Sequence, residues 1–396
     1  MKVAIDSQIF SLQRYGGISR YFYNIIANSI NESKINLKVS APYYINEYLN
    51  TQSCNFLGSA KKINCNDRLR RPLKYFNEMI SLRDFKSFSP DIIHETYYSS
   101  IYPYSNKSRR IITIHDLIDF EFKDSFPIHN FNKFWKEKAI KNADHIICVS
   151  QYTKNKLQEY FALPEDKVTV IHHGISTTIP TFTQVTKKIS YSYLLYVGQR
   201  WGYKNFNSFI ESFSRSSFLK NNFKVICFGG GEFTSEEYIK LNSLNLGSNV
   251  IQISGNDSVL NDLYRQASAF IYPSLSEGFG FPILESLSND CPVIASNQGS
   301  IPEILGENGI YFDPKDIESI KSVIENSLKV KELTNPATSP APTAKVITGD
   351  ARCGSEFDTI VVTGPVNFEK EKRNYILAGS TRAGFLIQYE FDIFKK

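Results

Sequence analysis

The sequence predicts an α/β protein of two domains, each a doubly wound sheet of parallel strands flanked by helices. Short apolar runs alternate with longer amphipathic stretches, which is the pattern of parallel strands joined by crossover helices. The apolar runs form two groups of six on either side of a break near 176–192. Runs such as 145–150 (HIICVS) and 223–228 (FKVICF) are almost continuously apolar, as expected of strands buried on both faces.

Each element is placed by its local pattern. A strand is predicted where a short β-branched or apolar run ends in a turn residue such as Gly, Pro, Asp or Ser. A helix is predicted where apolar residues recur every three or four positions. The predicted strands are 2–6, 37–42, 91–96, 109–115, 145–150, 168–172, 194–198, 223–228, 250–254, 269–273, 292–296 and 309–312. The predicted helices are 18–30, 129–142, 151–160, 204–214, 234–244, 257–267 and 316–330.

These elements divide the chain into an N-terminal domain (1–175), a Thr- and Ser-rich linker (176–192) and a C-terminal domain (193–332). A Pro-rich linker (333–344) and a small β-rich appendage (345–396) follow. Four strands are predicted in the appendage, at 345–348, 357–363, 374–379 and 384–394. Ligands of doubly wound domains bind at the carboxyl ends of the strands, so we expect the site in a cleft between the two large domains.

Composition excludes several classes of protein. With 42% hydrophobic and 21% charged residues, the chain is not disordered, collagen-like or a coiled coil. A net charge of +5 is too small to indicate nucleic acid as a partner. No apolar run approaches the ~20 residues of a membrane helix, and Asp6 interrupts any signal peptide. The six scattered cysteines favour a reducing compartment over a zinc or disulfide framework, so we expect a cytoplasmic protein.

The segment SEGFGFPILE (276–285) carries the strongest chemical signal. It follows a predicted strand, and its glycines allow a backbone to approach a ligand closely. Pro282 suits the first turn of a helix, whose free N–H groups and positive dipole end favour a phosphate. Glu277 would lie in the loop and Glu285 about one turn into the helix, so they could hold two parts of one ligand. The alternative is a helix cap at Glu277 and a solvated Glu285.

A second segment, YVGQRWGYKNF (196–206), places Arg200 and Lys204 between a strand and a helix. Two cations beside a helix N-terminus suit a diphosphate. The alternative is a pair of surface cations on a loop.

Two weaker signals lie in the N-terminal domain. Gly16 and Gly17 form a Gly-rich turn between the first strand and a helix, where a phosphate can sit, although a lone Gly-Gly pair has low specificity. The strand in RIITIHDLI (110–118) brings His115 to its carboxyl end, where the site of an α/β protein is expected. A structural role for His115 is equally open on the residues alone, and His94, His172 and His173 also lie at or near strand ends.

The segment SEGFGFPILE and its continuation CPVIASNQGSIPEILGENGIYFDPKD (291–316) resemble the donor-binding signature of family-4 retaining glycosyltransferases, which have the GT-B fold. The resemblance covers about residues 1–332 and is greatest for bacterial polysaccharide enzymes of the mannosyl or rhamnosyl kind. It implies an enzyme that moves a sugar from a nucleotide diphosphate sugar to a glycan or lipid-linked acceptor, with retention at the anomeric carbon.

The resemblance also implies roles for the site residues. Glu277 would contact the donor sugar and Glu285 the ribose, while Arg200 and Lys204 would neutralise the pyrophosphate and His115 would face the reacting centre. The donor-binding set implied in this way is Gly16, Gly17, Arg200, Lys204, Glu277, Gly278, Phe279, Gly280 and Glu285. Because two cations can stabilise the leaving group, no metal and no cofactor are expected.

Three further expectations concern partners and alternatives. The basic, aromatic stretch 61–76 is either a solvated loop and helix or a contact for anionic lipid at the inner membrane surface. The appendage is a candidate for oligomer formation. A non-catalytic nucleotide-sugar or glycan-binding module with a β interaction tail is the alternative function, and a GT-B isomerase or phosphorylase is a more distant one.

Overall fold

The computed structural model describes residues 1–29, 34–49, 60–98, 108–122, 131–174, 188–307, 309–333, 345–349 and 359–363. Two compact units contain these residues, one within Met1–Ser176 and the other within Thr177–Ile376. The predicted domain boundaries remain predictions. Among the described helices, none is long and apolar enough to cross a bilayer.

The first unit contains a parallel sheet of six strands flanked by helices. Its strands are β1 (Lys2–Ile5), β2 (Asn36–Val39), β5 (Ile92–Glu95), β6 (Arg109–Ile114), β7 (His145–Cys148) and β8 (Val168–Val170), in the order β2-β1-β5-β6-β7-β8. Two short strands, β3 (Tyr43–Tyr44) and β4 (Lys61–Lys62), pair separately. The helices are α1 (Gln8–Leu12), α2 (Gly17–Ser29), α3 (Asp67–Phe88), α4 (Ile118–Glu121), α5 (Phe131–Asn142) and α6 (Gln151–Tyr160).

The second unit repeats this architecture. Its strands are β9 (Tyr193–Val197), β10 (Lys224–Phe228), β11 (Val250–Ile253), β12 (Ala269–Tyr272), β13 (Val293–Ser296) and β14 (Ile310–Phe312), in the order β11-β10-β9-β12-β13-β14. The helices are α7 (Phe206–Arg215), α8 (Ser217–Asn222), α9 (Ser235–Ser243), α10 (Asp257–Gln266), α11 (Phe281–Ser288), α12 (Ile301–Leu305) and α13 (Ile317–Leu333). The strand order reverses between β9 and β12, and their carboxyl ends therefore form the topological switch point where α/β proteins bind ligands.

Two further strands, β15 (Lys345–Gly349) and β16 (Thr359–Thr363), form an antiparallel pair in the predicted appendage. The predicted strands 374–379 and 384–394 lie outside the described residues. The α/β fold class with two parallel sheets is confirmed, and a strand lies at each of the twelve predicted positions in the two large units.

Burial and capping account for the main elements. β9 and β12 are buried along almost their whole length, and the apolar faces of α7 and α13 pack with them in one core, including Phe209 and Ile324. Such burial is the dominant favourable contribution to folding. At the start of α9, Thr234 and Glu237 form a capping box that satisfies two otherwise unpaired N–H groups.

Candidate active site

The loop after β9 delivers Lys204 to the switch point of the second sheet. A single 3-10 turn (Gly202–Lys204) ends at Asn205, whose φ of 56° is left-handed. The side-chain Nδ2 of Asn205 donates to the carbonyl oxygens of Pro273, at 3.1 Å, and Pro314, at 2.7 Å. The backbone N–H of Leu275 in turn donates to the carbonyl of Tyr203 at 2.8 Å. The loops after β9 and β12 are therefore tied together, although they are distant in sequence.

Lys204 and Glu277 meet as a consequence of this tie. The Nζ of Lys204 lies 2.7 Å from Oε1 of Glu277, and both side chains are largely buried. Tyr272 on β12 is hydrogen-bonded to Glu277, and burial together with the Glu277 charge raises the pKa of its phenol well above the usual value. The Nζ of Lys204 also lies 5.9 Å from the centre of the Tyr272 ring, within the range of a cation–π contact.

A neighbouring loop fixes the backbone of Glu277. Ser300 donates to the Glu277 carbonyl from its hydroxyl at 2.9 Å and from its backbone N–H at 3.2 Å. Gly299 has a left-handed φ of 67°, and a Cβ placed there would lie 2.7 Å from the Glu277 nitrogen. The sequence reasoning did not assign these two residues, although both stand in the segment that carries the family resemblance.

The turn Gly278–Phe279–Gly280 leads into the N-terminus of α11, and all three residues are buried. Gly280 has a left-handed φ of 97° and lies against Ile283, which closes the turn tightly before Pro282. Within the first two turns of α11, Oε2 of Glu285 accepts a hydrogen bond of 3.4 Å from the Tyr264 hydroxyl. Glu277 therefore lies in the loop before α11, and Glu285 lies within α11, as the sequence predicts.

Ser274, between Pro273 and Leu275, is buried, and its hydroxyl has no hydrogen-bond partner among the described residues. A buried hydroxyl without a partner is costly, and such groups are often completed by a ligand or an ordered water. The Ser274 hydroxyl, three residues before Glu277, is therefore available to bond a ligand or a water molecule.

Arg200 lies in the same loop as Lys204, but its side chain bonds to other groups. Its Nε donates to Glu237 at 2.6 Å, and its terminal nitrogens bond to the carbonyls of Gly229, Gly231 and Glu232 at 3.0–3.1 Å. Glu237 is the capping-box residue of α9, so one carboxylate serves both the helix and the guanidinium. The predicted contact of Arg200 with a pyrophosphate stays a prediction, and sequence reasoning gave no sign of Glu237.

In the first unit, His115 follows β6 and belongs to an aromatic cluster. Its ring stacks on His173 with centroids 5.5 Å apart and meets Tyr21 edge-on at 5.2 Å. Its Nε2 is buried without a hydrogen-bond partner among the described residues. Burial lowers the pKa of His115 to about 3, with Asp116 opposing this shift and His94 adding to it. The imidazole is therefore neutral at physiological pH.

Beside His115, a buried lysine that sequence reasoning missed organises two carboxylates. The Nζ of Lys136, on α5, lies 2.6 Å from Asp119 and 3.4 Å from Asp116. Burial opposes the charge of Lys136, but Tyr98 and the carboxylates of Asp116 and Asp119 raise its pKa well above the usual value. This pairing holds the chain directly after His115.

Gly16 and Gly17 lie at the start of α2, as predicted. A Cβ on Gly16 would lie 2.4 Å from Oε1 of Gln13, and that same oxygen accepts a hydrogen bond of 3.2 Å from the Ser19 backbone N–H. A side chain at position 16 would therefore displace the Gln13 amide from the helix N-terminus. A phosphate contact for the two glycines stays a prediction.

Comparisons with known proteins show which family the chain resembles. Residues 15–179 match the model described as Glycosyltransferase Family 4, and residues 181–340 match Glycosyl transferases group 1. The chain is 31% identical to the O-antigen chain mannosyltransferase RfbU of Salmonella typhimurium over 54% of its own length and 60% of that protein. It is 27% identical to the O-antigen chain mannosyltransferase B of Escherichia coli over 63% of this chain and 67% of the relative.

Comparison with solved structures concerns the fold. The solved structure of the lipopolysaccharide outer core galactosyltransferase WaaB in its apo form has a TM-score of 0.57 and 18% identity, and covers 84% of this chain and 91% of its own. At this identity the likeness concerns the fold, which is GT-B. Because the two family models together extend from residue 15 to residue 340, the chain belongs to the family-4 glycosyltransferases.

Proposed function

We propose that the protein transfers mannose or a similar hexose from a nucleotide diphosphate sugar to a glycan or lipid-linked acceptor, with retention at the anomeric carbon, in surface polysaccharide biosynthesis. The observation that carries this proposal is the Lys204–Glu277 pair, held at the switch point of the second sheet and directly before α11. The similarity to O-antigen mannosyltransferases supports the sugar and the pathway class.

The arrangement assigns a task to each group. The N-terminus of α11 and Lys204 receive the pyrophosphate, whose negative charge grows as the bond from the sugar carbon to the phosphate oxygen breaks. Glu277 accepts hydrogen bonds from the sugar hydroxyls, and Glu285 accepts them from the ribose. The close turn at Gly278 and Gly280 lets the backbone approach the donor.

Retention follows when the acceptor hydroxyl attacks the face that the leaving group departs from. The departing phosphate oxygen then takes the proton of that hydroxyl, so no separate general base is required. His115, neutral at physiological pH, orients the sugar through a hydrogen bond. Arg200 adds positive charge at the pyrophosphate when its guanidinium is shared between Glu237 and the donor.

In this proposal the protein works in the cytoplasm, with peripheral contact to the inner face of the membrane. Among the described residues, Cys65, Cys148 and Cys227 form no disulfide, which suits a reducing compartment. No metal takes part because the helix N-terminus and Lys204 supply the positive charge.

The first experiment screens nucleotide sugars by thermal shift and by release of nucleoside diphosphate with and without acceptor. The donor should raise the melting temperature, because it binds the folded protein only. Lys204→Ala and Glu277→Ala should lower kcat/KM by at least about 10²-fold, since each removes a charge that acts on the donor. Lys315→Ala, at an exposed position of the same unit, is the control.

The outcomes separate the leading function from its alternative. Donor binding with no turnover under any acceptor would indicate a non-catalytic nucleotide-sugar module. Wild-type turnover in either site variant would remove the assignment of the Lys204–Glu277 pair.

A further inference from the structure

Helix α3 exposes large apolar side chains to solvent. Leu69, Phe76 and Met79 are 55%, 53% and 65% exposed, and Tyr75 is also exposed. Leu69, Phe76 and Met79 lie seven and three residues apart, and Tyr75 lies four before Met79, so all four share one side of the helix. Large exposed apolar groups concentrated on one face mark an interaction site more often than single ones do.

Cations share this side of α3. Arg68, Arg71, Arg83 and Lys86 are exposed on it. The carboxylates described in α3 are engaged elsewhere, because Glu78 is buried beside Lys74 and Asp84 accepts a hydrogen bond from Ser40. The outer side of α3 is thus apolar and basic, and we call these exposed residues from Arg68 to Lys86 the α3 face.

A basic depression lies at the N-terminal end of the α3 face. Its volume is about 690 Å³, and Arg14, Arg68 and Arg70 line it together with Asn64, Cys65 and Asn66. Asn66 caps α3 by accepting from the Leu69 backbone N–H. The combination of three guanidinium groups fits phosphate groups.

The direction of α3 places this end near the predicted acceptor side. Arg70 donates to the carbonyl of Leu12, at the end of α1, and Lys74 donates to the carbonyl of Tyr98, just beyond β5. At its other end, the carbonyl of Phe88 accepts from Lys2 at the start of β1. The basic depression therefore lies at the carboxyl edge of the first sheet, which is also the edge that bears His115.

We propose that the α3 face and its basic depression dock on a membrane containing anionic phospholipid. The apolar side chains enter the interfacial region, while the arginines contact lipid phosphates. A second copy of the chain is a poorer occupant, because a two-fold interface through this face would set its arginines against one another. The consequence for a lipid-linked acceptor rests on the proposed function, but membrane binding itself does not.

The test is flotation of the full chain with vesicles of phosphatidylcholine, with and without phosphatidylglycerol. Wild type should bind the anionic vesicles selectively and lose binding as salt rises. Arg68→Gln and Arg71→Gln should each lower the partition coefficient about fivefold, and Phe76→Ser combined with Met79→Ser about tenfold or more. Ile239→Ser, at a similarly exposed apolar site on α9, and Lys315→Gln are the matched controls.

Two measurements keep the result interpretable. Thermal unfolding should be unchanged in the α3 variants, since these side chains are exposed, and their thermal shift with guanosine diphosphate should equal that of wild type. Glu277→Ala should still bind the vesicles, so failure of the proposed sugar transfer leaves this test intact.

The proposal is overturned if wild type fails to float with anionic vesicles, binds both vesicle types equally, or loses as much binding in the controls as in the α3 variants. A dimer in sedimentation velocity that the α3 variants dissociate, without any vesicle binding, would instead assign the α3 face to a second copy of the chain.

Discussion

At the scale of single residues, the Lys204–Glu277 pair places two opposite charges in a largely buried position. Burying two charges costs free energy unless other groups complete their hydrogen bonds, and here Tyr272 bonds the carboxylate while its ring faces the ammonium. The pair thus keeps each charge in place. In the proposed function, a sugar hydroxyl and a phosphate of the donor replace part of the contact that Lys204 and Glu277 make with one another.

Ser274 gives a prediction at this scale. Ser274→Ala removes a buried hydroxyl without a described partner, so the free energy of unfolding of the ligand-free protein should stay unchanged or rise by about 1 kcal/mol. The melting-temperature shift caused by the donor should shrink if the hydroxyl bonds the ligand. Denaturant unfolding with and without donor measures both quantities.

The matched variant for that experiment is Ser300→Ala, which deletes the 2.9 Å bond to the Glu277 carbonyl and should cost about 1 kcal/mol. Equal destabilisation by the two substitutions would show that Ser274 has a structural partner and would contradict the expectation.

His115 gives a prediction about pH. Its pKa is about 3 in the folded protein and near the ordinary 6.5 in the unfolded chain, so between these values the unfolded chain binds more protons. The stability associated with the neutral imidazole is therefore complete above pH 6.5 and is lost progressively as the pH falls. Relative to His115→Gln, wild type should lose about 1.4 kcal/mol of unfolding free energy per pH unit in this window.

Chemical denaturation from about pH 4.5 to 6.5 measures this difference. Stability curves of the two proteins that run parallel over the range would show that His115 titrates normally. Asp116, His94 and Lys136 stay in place in both proteins, so their contributions largely cancel.

At the scale of elements, loops from separate strands build the site. The loop after β9 carries Lys204, the loop after β12 carries Glu277, and the loop after β13 holds the Glu277 backbone through Gly299 and Ser300. No single loop forms the site alone. The three loops meet because β9, β12 and β13 are neighbours in one sheet.

Gly299→Ala tests this dependence on the loop after β13. The added Cβ would meet the Glu277 nitrogen at 2.7 Å in a left-handed backbone, so we expect a loss of about 2 kcal/mol in unfolding free energy and weaker donor binding. Gly231→Ala is the control, since Gly231 has a similar φ of 75° but no atom within 4 Å of the new carbon. If both variants behave alike, backbone strain alone explains the effect and the contact with Glu277 is unimportant.

The sequence predicts the strands better than the helices, because four short helices among the described residues are not predicted and the 22-residue α3 is anticipated only within the stretch 61–76. The strands are continuous apolar runs such as 145–150, which are visible without any knowledge of packing. Helices α1, α4, α8 and α12 have only one or two turns, so they contain too few residues for a helical period to be recognised. Their positions depend instead on tertiary contacts.

The same distinction applies to the site. Arg200, Lys204, Glu277 and Glu285 stand in motifs and are predicted as a group; the structure pairs Lys204 with Glu277, whereas Arg200 bonds Glu237. Glu237, which binds Arg200 from 37 positions away, could not be foreseen, because no local pattern links α9 to the loop after β9. Lys136 was missed for the same reason, since its carboxylates lie 17 and 20 positions before it.

At the scale of the whole molecule, the two units share one topology but differ in what their switch points do. In the second unit the switch point holds the Lys204–Glu277 pair. In the first, Asp6 after β1 bonds the Thr96 backbone N–H after β5 at 3.0 Å and the Gln8 side chain at 2.6 Å. The first switch point is therefore closed by its own polar groups, whereas the second holds the charged Lys204–Glu277 pair that we propose binds the donor.

A chelation experiment belongs to this scale. In the proposed function, Lys204 and a helix N-terminus supply the positive charge at the donor site, so transfer by protein extensively treated with EDTA should keep its full kcat/KM. Turnover assayed before and after chelation, and again after adding Mg²⁺ or Mn²⁺, measures this. Loss of activity that either ion restores would place a metal in the reaction and contradict the proposal.

The two hydrogen bonds from Ser300 to the Glu277 carbonyl have a consequence for how such enzymes diversify. A change in the short connection 297–300 would raise or lower the carboxylate by a fraction of an ångström while the sheet beneath stays as it is. New preferences for sugars of different size can therefore arise by editing one surface turn, without rebuilding the machinery that expels the diphosphate.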